Sequence, residues 1–96
     1  MGSKVNTRPV AITSAQIRAA RALLRWSAVD LAQSSSVGVS TIRRAEVAES
    51  GTSLTAPNEL AIRRTLEEAG VEFINENGGG PGVRLRKRPQ AKPSKR

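Results

Sequence analysis

Apolar positions in the first quarter of the chain recur at the spacing of a helix. Thr13 and Gln16 form the T-x-x-Q pattern of a capping box, in which two side chains accept free backbone amides at a helix start. Ile12 and Ile17 are placed as a hydrophobic staple around that start. We therefore predict a first helix that runs to about Leu24, with an apolar face made of Ile17, Ala20 and Leu24.

Residues 27–46 predict two shorter helices that are joined by a tight turn. Ser27 and Asp30 form a second capping box, S-x-x-D, so the first of these helices begins just after Ser27. Leu31 on this helix points inward. Ala32 has a small side chain, which lets the next helix cross closely above it.

The second helix of this pair is amphipathic and basic. Val37 fills the space under the turn, and Gly38 stands where the helix begins. Ile42 and Ala45 supply its buried stripe, which leaves four residues facing outward or to the flanks: Val39, Ser40, Arg43 and Arg44. Two such helices are typical of a helix-turn-helix, whose second helix lies in the major groove of DNA.

The remainder of the chain predicts a further helix and then a change of period. Pro57 stands in the first turn of a helix whose core stripe is Ile62, Leu66 and Ala69. Gly70 supplies its C-cap. Residues 71–74 and 83–86 then alternate in part, which predicts two strands joined by the glycine-rich loop NENGGGPG.

This loop does not bind phosphate in the manner of a P-loop, because no Lys, Ser or Thr follows GGGPG and no helix begins after it. A two-stranded ribbon on its own is marginally stable in water. The strands are therefore expected either to fold onto the helices of their own chain or to pair with those of a second subunit.

Composition limits the chemistry that the chain can perform. The 96 residues include no Cys and no His, which excludes disulfides, Ser-His or Cys-His catalytic triads and metal sites built from these residues. We expect no enzyme activity, no cofactor and no metal. The chain has neither an apolar run of membrane-spanning length nor a secretory signal, so a cytoplasmic location is expected, with no membrane partner.

The net charge of +8 is weaker evidence for nucleic-acid binding than its size suggests. Between residues 14 and 83, seven arginines stand against eight acidic residues. The excess of positive charge lies near the two ends of the chain. The prediction of DNA binding therefore depends on the positions of Arg43 and Arg44 and not on the total charge.

The segments LAQSSSVGVSTIRRAE and LAIRRTLEEAGVEFINENGGGPGVRLR resemble the lambda-repressor-like Xre family of bacterial and phage regulators. The similarity covers Ala15 to about Arg86. It implies a mainly α fold, a small DNA-binding domain of four to five helices with a C-terminal two-stranded β-hairpin. The chain departs from the family at Ser36, where glycine is usual, and a left-handed Ser36 would cost about 1 kcal/mol.

The resemblance also implies roles for individual side chains. Relatives contact base edges at the positions of Val39, Ser40 and Arg44, and they hold a phosphate at that of Ser27. The family pairs an arginine of the first helix with a glutamate that ends the recognition helix, here Arg21 and Glu46. To these we add Arg43, at the flank, as a contact to base or backbone, and Thr41 as a second phosphate contact.

These observations divide the chain into an N-terminal arm (1–12), a DNA-binding domain (13–70), a β-hairpin that is a possible dimerisation element (71–86) and a basic tail (87–96). We expect a transcription regulator, most simply a repressor, that binds double-stranded operator DNA as a homodimer on an inverted repeat. Interface candidates are the hairpin and the outer face of the last helix. Two alternatives stay open: an antitoxin-like or antiactivator protein that sequesters a protein partner, and a nonspecific nucleic-acid binder driven by its tail.

Overall fold

The computed structural model describes residues 11–48 and 54–86. In this part of the chain the backbone forms four helices followed by two antiparallel strands: α1 Ser14–Leu24, α2 Ala28–Ser35, α3 Val39–Glu46, α4 Ala56–Glu68, β1 Val71–Ile74 and β2 Gly82–Leu85. The basic tail and residues 1–10 of the arm lie outside the described residues. None of the described helices is long and apolar enough to cross a bilayer.

Both predicted capping boxes are confirmed. At α1, the Thr13 hydroxyl accepts from the Gln16 amide and the Gln16 side chain accepts from the Thr13 amide. At α2, Ser27 and Asp30 exchange the same two hydrogen bonds, each 2.9 Å long. A lost N-cap of this kind costs about 1 kcal/mol, so these four residues fix where α1 and α2 begin.

The turns after α1 and α2 both use the left-handed backbone region without glycine. Arg25, after α1, has φ 59° and ψ 38°, and Ser36, after α2, has φ 63° and ψ 24°. Ser36 donates its amide to the Ala32 carbonyl and so closes the last turn of α2. The left-handed Ser36 expected from the sequence is therefore present, with a cost of about 1 kcal/mol.

One core joins all four helices and β1. Its fully buried large side chains are Ile12, Ile17, Leu31, Ile42, Ile62, Leu66 and Val71. Burying one such side chain stabilises the fold by roughly 1.5–3 kcal/mol. Ile12 belongs to this core and its amide donates to the Glu59 carboxylate of α4 (2.8 Å), so the folded domain begins before residue 13, the boundary that the sequence suggested.

Helix α4 begins and ends close to the predicted positions. Thr55 caps its first turn, which contains Pro57. The helix ends at its C-cap, Ala69, and Gly70 follows with φ 112°, a conformation that favours glycine. The cap is thus Ala69, one position before the predicted cap Gly70, and Gly70 is the left-handed residue that follows it.

The hairpin packs onto the helices of its own chain, which is the first of the two arrangements that the sequence left open. Val71 pairs with Leu85 and Phe73 with Val83. Strand β2 begins one residue before the predicted strand, which was expected to start at Val83. The Gln16 side chain of α1 donates to the carbonyl oxygens of both strands, Ile74 at 3.2 Å and Gly82 at 2.9 Å. These bonds attach the end of the sheet nearest its turn to α1.

The side of the hairpin nearest α4 is held by an aromatic contact. The guanidinium carbon of Arg63 lies 5.1 Å from the centroid of the Phe73 ring, within the range of a cation–π interaction. Arg63 also pairs with Glu67 one turn later, at 3.3 Å. Contacts to the helices thus stabilise a ribbon that would be marginal alone.

Candidate nucleic-acid interface

Helix α3 buries one face and presents the other to solvent. Ile42 and Ala45 are completely buried against the other helices, as the i, i+3 spacing predicts. Ser40, Arg43 and Arg44 are exposed. Eight residues of helix are about 12 Å long, a length comparable to the width of the major groove of B-DNA.

Val39 and Thr41 lie at the flanks of this exposed face. Both are half-buried, and Val39 packs against the core. Val39 therefore lies at the flank, one of the two placements that the sequence allowed, because one side of its side chain faces the core at the first turn of α3. The other side remains accessible to a methyl group of a partner.

The two arginines of α3 are available for a ligand. Neither Arg43 nor Arg44 forms an ion pair with a residue of 11–48 or 54–86. Their position in the last turn of the helix is favoured by the macrodipole, whose negative end attracts cations. Adjacent residues on a helix point about 100° apart, so Arg43 and Arg44 would contact neighbouring parts of a ligand that lies along α3.

The N-terminus of α2 carries the predicted phosphate contact, Ser27. This residue is exposed, and its hydroxyl oxygen already accepts from the Asp30 amide. A hydroxyl can accept and donate at the same time, so the Ser27 proton is still available to an anionic oxygen. The Asp30 carboxylate, however, occupies the Ser27 amide, which leaves the hydroxyl as the group of Ser27 that can bind a phosphate.

Arg21 and Glu46, which the resemblance pairs, form a bidentate ion pair. Arg21 Nε and Nη2 donate to the two carboxylate oxygens of Glu46 at 2.6 and 2.8 Å. Arg21 Nη1 donates to the backbone carbonyl of Trp26 at 2.9 Å. The hydrogen bonds to Glu46 raise the pKa of Arg21 above its ordinary value, against the lowering by burial.

This ion pair connects three segments of the chain. Arg21 lies on α1, Trp26 in the α1–α2 connection, and Glu46 at the end of α3. Only 8% of the Glu46 side chain is exposed, against 22% for Arg21. The pair therefore fixes the C-terminal end of α3, where Arg43 and Arg44 stand, relative to the start of α2 and its Ser27.

The predicted contact residues lie on α3 and at the start of the neighbouring α2, and the described residues form no metal centre. No three acidic side chains among residues 11–48 and 54–86 converge in a way that would hold a metal ion. An open groove lies at the start of α1, beside the end of α3, and is lined by Ser14, Arg18, Glu46 and Val47 among others. Its lining does not include the exposed side chains of α3.

Comparison with known proteins adds no family assignment to this geometry. The chain matches no protein-family model, and no curated protein is significantly similar to it.

Proposed function

We propose that this protein is a sequence-specific DNA-binding transcription regulator, and that α2 and α3 form a helix-turn-helix of the lambda-repressor-like type. The observation that carries the proposal is the outer face of α3. It combines two arginines, unpaired within the described residues, with Ser40 on a helix whose opposite face is completely buried. A basic helix held out from a core in this way fits the major groove.

In the proposed complex the helices have different roles. Ser27 at the start of α2 and Thr41 on α3 donate to phosphates and set the register of the protein on the duplex. Arg44 reads guanine through two parallel hydrogen bonds, Ser40 contacts a neighbouring base edge, and the exposed side of Val39 contacts a thymine methyl group. Arg43 contacts base or backbone at the flank.

A single α3 offers few base contacts, so selectivity requires two copies. We propose that the protein binds an inverted repeat as a homodimer, with the two recognition helices in successive major grooves about 34 Å apart. Occupation of a promoter by this dimer would repress transcription. Light scattering or sedimentation of the complex with DNA measures whether two chains bind each repeat.

Selection of duplexes from a random pool, followed by titration of single variants, tests the proposal. Arg44→Ala should weaken binding to the selected duplex by about ten- to a hundredfold and should relax the preference at one base pair of each half-site. Arg64→Ala is the matched control, because Arg64 is an exposed arginine on a different helix, α4. If no duplex is enriched, or if Arg44→Ala weakens all duplexes equally, α3 does not read sequence.

A further inference from the structure

The outer edge of β2 has backbone groups that the hairpin does not use. The Arg86 amide donates to the Gly70 carbonyl at 2.7 Å, so residues 86 and 70 form a hydrogen-bonded pair. Hydrogen-bonded and non-hydrogen-bonded pairs alternate along an antiparallel ladder. In the observed register, the amides and carbonyls of Val83 and Leu85 therefore point away from β1.

The side chains beside this edge are accessible and of two kinds. Val83 is half-buried against the core, and 50% of Leu85 is exposed on the same face of the sheet. Arg84 and Arg86 alternate with them and are exposed, and one terminal NH₂ of Arg86 already donates to the Glu67 carbonyl at 2.7 Å. The edge thus presents the backbone amides and carbonyls of two residues, Val83 and Leu85, together with a partly exposed leucine side chain and two guanidinium groups.

Charge decides which kind of strand can add to this edge. Residues 82–86 contain two basic side chains, Arg84 and Arg86, and no acidic one. A second copy of β2, antiparallel to the first, would place this stretch against itself, and like charges across strands are destabilising. Charged side chains on edge strands prevent self-pairing in this way. A strand with acidic side chains meets no such repulsion.

We infer that the outer edge of β2 is a docking site for an extended acidic segment of another protein, which adds to the sheet as a third strand. Backbone bonds to Val83 and Leu85 hold the segment, and its alternate side chains are read on the two faces. This interaction surface goes beyond the proposed DNA-binding function and lies on different elements from α3.

The chemistry of the partner follows from the two faces of the sheet. Arg84 uses its Nε for Glu72 (2.8 Å), but its side chain is 65% exposed and its terminal NH₂ groups can donate to an incoming carboxylate. On the opposite face, an apolar side chain of the segment would cover Leu85. The segment that fits best therefore alternates acidic and apolar residues. The Gln16 bonds that attach the sheet to α1 hold the edge in place before binding.

Titration of the full chain with a synthetic peptide of alternating glutamate and valine tests this inference, without DNA. The amide signals of Val83 and Leu85 should shift and exchange more slowly with solvent as peptide is added. A peptide of alternating lysine and valine is the control and should bind at least tenfold more weakly. Arg84→Gln with Arg86→Gln should weaken binding of the acidic peptide about tenfold, whereas the same two-charge loss at Arg18 and Arg64 should leave it unchanged.

A backbone variant separates strand addition from simple charge attraction. Leu85→Pro removes an amide that points away from β1, so the β1–β2 ladder keeps its bonds while the edge loses a donor. Peptide binding should be lost, with the hairpin signals otherwise retained. The inference is overturned if this variant binds the peptide normally, or if both peptides bind equally. It is also overturned if Val83 and Leu85 are protected in the free protein, because a second copy or another segment then covers the edge.

Discussion

Removal of Arg21 alone from the Arg21–Glu46 pair should destabilise the protein far more than removal of both members. Arg21→Met keeps most of the packing volume but leaves the Glu46 carboxylate, 8% exposed, without its two donors. It also leaves the Trp26 carbonyl without the donor that Arg21 supplies. An unpaired charge in that position must either attract water or force the end of α3 outward.

The burial of the two side chains sets how much each substitution lowers the free energy of unfolding. Loss of one partner of a buried pair costs about 3–5 kcal/mol, and we take about 3 kcal/mol for Arg21→Met because 22% of Arg21 is already in contact with solvent. In a domain of this size that free energy lowers Tm by roughly 12–24 °C. Glu46→Leu should cost only about 1–2 kcal/mol, because the released guanidinium can turn towards water. In the double variant no charge is left without a partner, and the free energy of unfolding should fall by only about 1 kcal/mol.

Urea unfolding measures these differences directly, with the fluorescence of Trp26, the single tryptophan, as the probe. The decisive quantity is the coupling energy of the double-mutant cycle, the sum of the two single losses minus the loss of the double variant, expected at about 3–4 kcal/mol. Arg18→Met is the control, since Arg18 is exposed on the same helix, and it should change stability by less than about 0.5 kcal/mol. Additive losses, or an Arg21→Met variant within about 1 kcal/mol of the parent, would refute the structural role of the pair.

Three further predictions concern the turn after α2, the hairpin surface and its attachment. Ser36→Gly should raise the free energy of unfolding by up to about 1 kcal/mol, because relief of the left-handed strain exceeds the added entropy of the unfolded chain. Ser36→Val should lower the free energy of unfolding. Urea titration of both variants measures these two changes. Hydrogen bonding to Arg84 lowers the pKa of the Glu72 carboxyl, so the contribution of this pair is present above the ordinary glutamate pKa and is lost as pH falls through the lowered value. NMR titration should show this depressed pKa, and Arg84→Gln should restore the ordinary one. Gln16→Glu replaces a donor by a negative charge beside two carbonyl oxygens, and hydrogen exchange of the hairpin amides should become at least tenfold faster while α2 and α3 stay protected.

The elements of the fold were predictable from the sequence because their signals are local. A capping box joins residues three positions apart, and the stripe of α3 follows from Ile42 and Ala45, also three apart. The left-handed turn at Ser36 followed from the comparison with glycine at that position in a resembling family. The sequence left Val39 either outward or at the flank, because periodicity gives a helix face but not how closely the neighbouring core approaches its edge.

Long-range contacts were not predictable in the same way. Gln16 was identified as a capping residue, yet its side chain also donates to carbonyls 58 and 66 positions later, and no spacing rule connects such residues. The choice between a hairpin folded on its own helices and one shared with a second subunit depended on these bonds. The pairing of Arg21 with Glu46 came from a resemblance and not from the pattern, since 25 residues separate the two, and the bond from Arg21 to the Trp26 carbonyl was not predicted.

Helix α1 connects the hairpin to α3 through the side chains of two of its residues. Gln16 ties the sheet to one point of this helix, and five residues later Arg21 ties down the end of α3. The two anchoring points are about 7.5 Å apart along a single rigid rod. A displacement of the sheet is therefore transmitted to α3 through less than two turns of helical backbone, so a ligand on either of the two proposed surfaces would act on the other through the same short segment of α1.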